Sequence, residues 1–211
     1  MRNKCVSSLL VLLVSSWARA AAADEVVKLD DLDADDNLTS TAWTSGYDKN
    51  GLGTVLAPEP FRPSDGGSPA SPRRFARISG HFGKNKPPYP WAQMSLPLDP
   101  AGKALDLSMF RAIRFNAKGS GRAKIIVGRE AVKDFADYAF SFALTDRWTE
   151  VVVPLAELRQ PNWGKAVPVA WNDVKGLRFE PEGSDVDFDI ASTIWRCSAI
   201  RPVRRRYRLR C

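Results

Sequence analysis

The sequence predicts an all-β fold, either a sandwich or a barrel, from three observations. Apolar runs beyond the amino-terminal region are short and are separated by glycine- and proline-rich turns. Several of these runs alternate apolar and polar residues with the period of two that a half-buried strand requires. No long segment repeats its apolar residues with the helical period of 3.6. The 211 residues are consistent with one folded domain.

The first half of the chain gives three strand predictions separated by loops. Val26 to Leu29 is the first, within an acidic stretch. Asp48 to Pro72 is rich in Gly, Pro and Ser, and it predicts a loop because Gly permits positive φ and Pro cannot donate to a strand ladder. Phe75 to Ile78 and Trp91 to Leu98 are the other two strands, and the three prolines of residues 85–90 predict a stiff loop between them.

The second half carries the clearer strand patterns. Ile113, Phe115 and Ala117 alternate with polar residues, so one face of this strand is apolar. Gly119-Ser-Gly121 predicts a turn directly after it. Further strands are predicted at residues 123–127, 138–144, 148–153, 176–179 and 186–190. Leu155 to Arg159 predicts one helical turn.

Residues 1–23 predict a secretory signal peptide. Arg2 and Lys4 precede a mostly apolar stretch at residues 6–17, and Ala18-Arg-Ala20 supplies a cleavage motif. The apolar stretch is shorter than the roughly 20 residues of a membrane span. We therefore expect a secreted or periplasmic protein, with no transmembrane segment after signal removal and with residues 24–200 forming the folded domain.

The formal charge of +7 is concentrated at the two ends of the chain. Three basic residues lie in the first twenty positions and six arginines in residues 201–211, and neither segment contains an acid. The remainder therefore carries a charge of −2, and nucleic acid is not expected as a partner. The basic tail is interpreted as a solvated end, with contact to an anionic polymer or membrane surface as the alternative.

Two cysteines, Cys197 and Cys211, remain once Cys5 leaves with the signal peptide. In an oxidising compartment they are predicted to form a disulfide that closes the basic tail onto the preceding segment. Two free thiols are the alternative, because pairing depends on a Cα separation that a sequence does not supply.

The sequence contains none of the common catalytic motifs, such as G-x-S-x-G, Walker A, H-E-x-x-H or C-x-x-C. Its one histidine, His81, is expected to be a strand residue. Calcium is the metal that the acidic residues would suit, with Asp30, Asp31, Asp187 and Asp189 as oxygen donors. Solvated acidic edges are the alternative, since no EF-hand-like spacing is present. We predict neither an enzyme nor a metal or cofactor site.

Aromatic residues in predicted loops are the most informative feature for function. Tyr89 and Trp91 end the proline-rich loop, and Trp163 lies between Pro161 and Gly164 in another loop. Sugar rings present C–H faces that stack on aromatic planes, whereas their hydroxyl groups need polar neighbours. Packing in the core is the alternative role for each of these side chains.

Several segments, taken in order, resemble the galactose-binding-like jelly roll. They are Arg77-Ile-Ser-Gly80, Tyr89-Pro-Trp-Ala92, residues 110–121, Tyr138-Ala-Phe-Ser-Phe142, residues 147–154, residues 158–164 and Val174-Lys-Gly-Leu-Arg-Phe179. The pattern is similar to the complex I intermediate-associated protein 30 family and to family 11 carbohydrate-binding modules. Asp65-Gly-Gly-Ser68 resembles the glycine-rich early loop of the former family. The resemblance covers Leu29 to Ile190.

This resemblance implies a jelly-roll β-sandwich that binds glycans or proteins through its concave sheet face or loop rim, without catalysis. We therefore predict an exported carbohydrate-binding module in which Tyr89, Trp91 and Trp163 stack on sugar rings. Hydroxyl contacts are predicted for Arg114, Asn116, Arg129 and Ser141 on the same sheet face. A cell-envelope protein-interaction or assembly factor is the alternative. A glycosidase or lyase with two facing carboxylates is a third hypothesis.

Overall fold

The computed structural model of the protein describes residues 26–30, 43–49, 51–67 and 73–199. Their strands are β1 Val26–Asp30, β2 Thr44–Tyr47, β3 Val55–Ala57, β4 Ser64–Asp65, β5 Arg74–Phe82, β6 Ala92–Pro97, β7 Phe110–Ser120, β8 Arg122–Arg129, β9 Tyr138–Ala143, β10 Thr149–Pro154, β11 Val174–Glu182 and β12 Val186–Ala199. A 3-10 helix, Leu155–Glu157, follows β10. The all-β prediction is confirmed. The predicted signal peptide and basic tail lie outside the described residues.

The strands form two antiparallel sheets. The seven-stranded sheet has the order β10-β7-β12-β5-β3, with β1 paired to β12 and β4 paired to β5. The five-stranded sheet has the order β2-β6-β11-β8-β9. The consecutive strands β7 and β8 belong to different sheets, and Gly121, at φ +79°, lies between them. A crossing of this kind gives a sandwich its two layers.

The core lies between the two sheets and is centred on three phenylalanines. Phe115 on β7 makes edge contacts with Phe142 on β9 and Phe179 on β11, at ring-centroid distances of 5.4 and 4.9 Å. Aromatic rings favour this edge-to-face geometry, because their positive edges meet negative faces. The alternation predicted for β7 is confirmed, since Ile113, Phe115 and Ala117 are all buried. The same alternation leaves the intervening polar residues on the outer face of the seven-stranded sheet.

One predicted loop and several predicted strand bounds differ from the structure, and β2 was not predicted. The segment predicted as a loop, Asp48 to Pro72, contains the short strands β3 and β4, which pair with β5 at the sheet edge. Their register is set by β5, whereas local composition favours turns. The predicted strand at residues 186–190 continues to Ala199, because β12 lies between β5 and β7 and pairs with both.

Of the acidic residues considered for calcium, Asp187 and Asp189 lie beside basic partners, and the Asp30 side chain lies outside the described residues. Asp187 and Asp189 lie on the outer face of β12. Their basic partners lie on the adjacent strand β5. Asp189 accepts two hydrogen bonds from Arg77, at 2.7 and 2.8 Å, and Asp187 is 2.9 Å from Nδ1 of His81. Within the described ranges, no group of three or more His, Cys, Asp or Glu residues is arranged to hold a metal ion. Asp31 lies outside these ranges.

Cys197 is wholly buried on β12 and has no disulfide partner among the described residues. Burial raises its pKa to about 12, because the thiolate would lose its hydration there. Cys211 lies outside the described residues, so the disulfide stays a prediction. In the part of the chain that the structure covers, no helix has the length and hydropathy to cross a bilayer.

Candidate functional site

An open groove of about 720 Å³ lies on the outer face of the five-stranded sheet. Side chains along a strand alternate between the two faces of a sheet, so every second residue faces the groove while its neighbours enter the core. The floor comes from four strands and comprises Gln93 on β6, Arg178, Glu180 and Glu182 on β11, Lys124 and Ile126 on β8, and Ala139 and Ser141 on β9. This volume is typical of a ligand pocket.

The polar side chains of the floor are held by one another. Lys124 lies opposite Glu180 in the strand register, and its Nζ is 2.9 Å from the carboxylate. The hydroxyl of Ser141 donates to Glu182 at 2.6 Å. These contacts fix donors and acceptors in place before any ligand arrives, which lowers the entropy cost of binding.

An apolar row lies beside these polar groups. Ile126 on β8 is directly opposite Ala139 on β9, and on its other side it is opposite Arg178 on β11. The Arg178 guanidinium donates to Asp137 at 2.8 Å. The floor therefore offers a narrow apolar strip next to hydrogen-bonding groups.

Trp91 forms one side of the groove next to β6. Its side chain is on the surface, with the residue 43% exposed, and its ring lies over Gly46 of β2. A Cβ atom at Gly46 would be 3.3 Å from the ring, so glycine leaves the space that the indole occupies. The Trp91 backbone is fixed by two hydrogen bonds with Asp48, at 2.9 and 3.0 Å.

Two exposed aromatic residues form the rim near β9. Trp163 is 66% exposed in the loop between the 3-10 helix and β11, and Phe135 is 80% exposed in the loop between β8 and β9. Phe135 has φ +64°, a left-handed conformation that aromatic residues seldom adopt. Strained residues of this kind cluster at functional sites. Both rings line the groove.

The loop that carries Trp163 is tied to the sheet at several points. Arg159 exchanges two backbone hydrogen bonds with Ala139 on the β9 edge, at 2.9 and 3.0 Å. Tyr138 donates its hydroxyl hydrogen to the Val167 carbonyl at 2.6 Å. Asp134 accepts from the Lys165 amide at 2.6 Å, and this hydrogen bond lowers the pKa of Asp134. The rim therefore has several fixed points despite lacking regular strands.

Three of the seven predicted ligand residues line this groove. They are Trp91, Trp163 and Ser141. Tyr89 is 65% exposed in the loop before Trp91 but is not part of the groove lining. Trp91 and Trp163 are therefore exposed at the groove and do not pack in the core, which was the alternative role.

The prediction that the polar residues share one sheet face is wrong for three of them. Arg114 and Asn116 lie on β7, on the outer face of the other sheet, where Arg114 contacts Glu150 at 3.3 Å. The side chain of Arg129 is only 3% exposed. Its guanidinium donates to Asp173 and to the Pro168 carbonyl, at 2.7 and 2.8 Å, so Arg129 anchors the loop.

Sequence reasoning missed several groove residues. Gln93, Lys124, Ile126 and Arg178 occupy alternate positions of predicted strands, so the alternation carried a usable signal once the outward face was known. Glu180 lies one residue beyond the predicted strand at 176–179. Phe135 carried no such signal, because its neighbours Asp134 and Ala136 are ordinary loop residues.

Comparison with solved structures shows the same fold in carbohydrate-binding modules. A family 11 module from Clostridium thermocellum in complex with a β-1,3-1,4-mixed-linked tetrasaccharide is 12% identical, with 84% of this chain and 98% of that chain covered and a TM-score of 0.62. The family 11 module of the cellulosomal cellulase Lic26A-Cel5E of that organism is 14% identical, with 85% and 97% covered and a TM-score of 0.60. A family 30 module of a cellulosomal cellulase from the same organism is 15% identical, with 82% and 98% covered and a TM-score of 0.55.

These likenesses confirm the predicted jelly-roll sandwich. No family model matches the chain, and no curated protein matches it. The solved structures that share the fold are carbohydrate-binding modules, one of the two groups in the resemblance. No family match supports the intermediate-associated protein 30 part.

Proposed function

We propose that the protein binds a carbohydrate in the groove of the five-stranded sheet. The observation that carries this proposal is the combination of the exposed rings of Trp91, Phe135 and Trp163 with a polar floor. Large exposed aromatic side chains grouped around one concavity are typical of a binding site. Their planes suit the C–H faces of sugar rings, and the floor groups suit the hydroxyls.

The proposed mechanism is stacking and hydrogen bonding without bond cleavage. Three carboxylates line the groove. Glu180 and Glu182 lie two residues apart on β11 and therefore on the same side of a ligand. Asp137 is buried and accepts hydrogen bonds from the Arg178 guanidinium and the Arg129 amide. Glycosidases place two carboxyl groups on either side of the scissile bond. Here Glu180 binds Lys124 and Glu182 accepts from Ser141, so both carboxylates are engaged in the floor. We therefore propose a binding protein and expect no sugar release during prolonged incubation.

Fold similarity guides the choice of the first ligand. A neighbour of the same fold is described in complex with a β-1,3-1,4-mixed-linked tetrasaccharide. We propose this oligosaccharide as the first compound to test against the chain from residue 24 onward. A glycan array then extends the test to other neutral and acidic sugars.

The decisive experiment compares groove variants by isothermal titration calorimetry. Trp163→Ala and Trp91→Ala should each weaken binding about two- to twelvefold, because one stacked aromatic contact contributes on the order of 0.5–1.5 kcal/mol. Met109→Ala removes an equally exposed apolar side chain outside the groove, and it should bind as the unchanged chain does. Arg114→Ala should also bind normally, since this residue lies on the other sheet.

Two outcomes would overturn the proposal. One is an array without binding to any glycan, and the other is binding that survives both tryptophan substitutions. Either result would favour a protein ligand for the groove, and pull-down from envelope extracts would then test the protein-interaction alternative. The unfolding transition of each variant is measured in parallel, so that loss of binding is separated from loss of fold.

Export is a further part of the proposal and rests on residues 1–23. These residues combine a basic start, an apolar stretch and an Ala-x-Ala motif. Expression of the full chain in a Gram-negative host should give a periplasmic protein that begins between Ala21 and Asp24. Amino-terminal sequencing measures the cleavage point, and an uncut cytoplasmic product would contradict export.

A further inference from the structure

A second, smaller hollow of about 190 Å³ adjoins the groove. Phe135, Asp137 and Arg178 line both spaces, so the aromatic ring and the Asp137–Arg178 ion pair form the boundary between them. The hollow continues from that boundary towards Lys133 and Lys175. A ligand in the groove therefore has room for a side group beyond Phe135.

The hollow has an excess of positive charge. Lys133 and Lys175 both bind a single carboxylate, that of Glu130, at 2.7 and 2.9 Å. Their hydrogen bonds, together with their positive charges, lower the pKa of Glu130 to about 2. The two arginines of the hollow each have their own acid, Asp173 for Arg129 and Asp137 for Arg178. One ammonium charge is thus left over at the lysine pair.

The nearby carboxylate of Asp134 does not compensate this charge within the hollow. Its two oxygens accept hydrogen bonds from the backbone amides of Lys165 and Ala136. These contacts direct it towards the Trp163 loop. Asp134 is also absent from the residues that line the hollow.

Arg178 provides a second, independent observation at the boundary. Within the described part of the chain, its buried Nε has no hydrogen-bond partner, although one terminal nitrogen donates to Asp137. A buried donor without an acceptor is uncommon and costs free energy. Because Arg178 lines both spaces, a ligand acceptor there would be a partner for this N–H.

We propose that the hollow holds an anionic substituent, the carboxylate of a uronic acid unit, on a glycan whose backbone lies in the groove. This inference rests on the proposed function and adds the class of side group. The carboxylate would accept charge-assisted hydrogen bonds from Lys133 and Lys175, with Arg178 supplying a further donor. Such contacts are shorter and stronger than those of a neutral hydroxyl.

The test is a titration of the ¹⁵N-labelled chain from residue 24 followed by NMR. Sodium glucuronate is compared with methyl glucoside, its neutral counterpart, at matched ionic strength. Glucuronate should shift the backbone amides of residues 128–135 and 175–178, and methyl glucoside should leave them unchanged. Raising the salt from 20 to 300 mM should weaken the glucuronate shifts, because exposed ammonium groups are screened.

Matched lysine variants locate the effect. The double variant Lys133→Gln, Lys175→Gln should weaken glucuronate binding at least about tenfold, because loss of even one of the two charge-assisted hydrogen bonds has this effect. The double variant Lys86→Gln, Lys103→Gln removes two exposed lysines that do not line the hollow, and it should bind normally. Equal shifts with glucuronate and methyl glucoside, or glucuronate binding that survives the first double variant, would overturn the inference.

The same samples separate this inference from the proposed function. Titration with the mixed-linked tetrasaccharide is read from the indole N–H signals of Trp91 and Trp163, which report on the groove. Tetrasaccharide shifts without glucuronate shifts would reject the anionic subsite and leave carbohydrate binding standing. The opposite outcome is glucuronate shifts with no change in the indole signals on adding the tetrasaccharide. That result would reject the proposed function, and it would also reject a subsite for a side group on a glycan backbone.

Discussion

Gly164 packs against Ala136 so closely that a Cβ atom on residue 164 would overlap the Ala136 methyl group and lie 3.0 Å from Oδ2 of Asp134. This contact joins the loop that carries Trp163 to the loop that carries Phe135. The two rim aromatics are therefore positioned relative to each other by one glycine. The Lys165 amide, which donates to Asp134, strengthens the same junction.

Gly164→Ala should separate the two loops. The loss of glycan-binding free energy should be larger than the loss of unfolding free energy. Overpacking of this kind costs about 1–3 kcal/mol of unfolding free energy. Gly128→Ala is the matched control for stability alone, because the nearest atom to an added Cβ there is 3.6 Å away but Gly128 lines the smaller hollow. Chemical denaturation and calorimetry on both variants measure the two effects. Unchanged glycan affinity for Gly164→Ala would show that the junction does not set the rim.

Phe135→Gly should leave stability unchanged or raise it while weakening glycan binding. Phe135 has a left-handed φ of +64° and is 80% exposed, so its removal loses little burial and relieves backbone strain. Glycine adopts this conformation readily, and the relief is worth about 1 kcal/mol. Affinity should fall several-fold as one stacking surface disappears.

Phe135→Ala is the control for that prediction, since alanine removes the ring but keeps the strained backbone. Both variants should lose a similar amount of glycan affinity. Phe135→Gly should be more stable than Phe135→Ala. Thermal unfolding followed by circular dichroism gives the comparison. Equal unfolding temperatures for the two variants would contradict the strain argument.

His81 should make the folding free energy depend on pH near neutrality. Its ring nitrogens lie 2.9 Å from Asp187 and 3.1 Å from Asp185, and these hydrogen bonds raise its pKa above the ordinary 6.5. Because the folded-state pKa is raised, the stabilisation is fully present below about pH 6.5 and is lost as the pH rises through the raised value.

The measurement compares urea unfolding of the unchanged chain and of His81→Gln at pH 5.5 and pH 8.5. The unchanged chain should be the more stable at pH 5.5, and the difference should shrink at pH 8.5. Lys86→Gln serves as a surface control without this pH dependence. A stability difference that is the same at both pH values would refute the assignment to His81.

Local pattern was enough to locate most strands, whereas sheet membership required the tertiary fold. Alternation in Ile113 to Ala117 gives the buried face of β7 correctly. It does not reveal that the chain crosses to the other sheet after Gly121, which places Arg114 and Ser141 on opposite faces of the sandwich. The role of Phe135 depends on its backbone conformation and on a loop contact distant in sequence.

Arg129 should be a positioning residue for the rim, since it does not itself line the main groove. Its nearly buried guanidinium holds both Asp173 and the Pro168 carbonyl, so Arg129→Met should cost about 3–5 kcal/mol by leaving Asp173 without its cation. Arg129→Lys keeps the charge but loses the forked geometry, and its cost should be smaller. In both variants the indole signal of Trp163 should broaden or shift in the free protein, while that of Trp91, held by Asp48 across the sheet, should stay unchanged. A shift of both indoles together would indicate general loosening of the sandwich and contradict a local anchoring role.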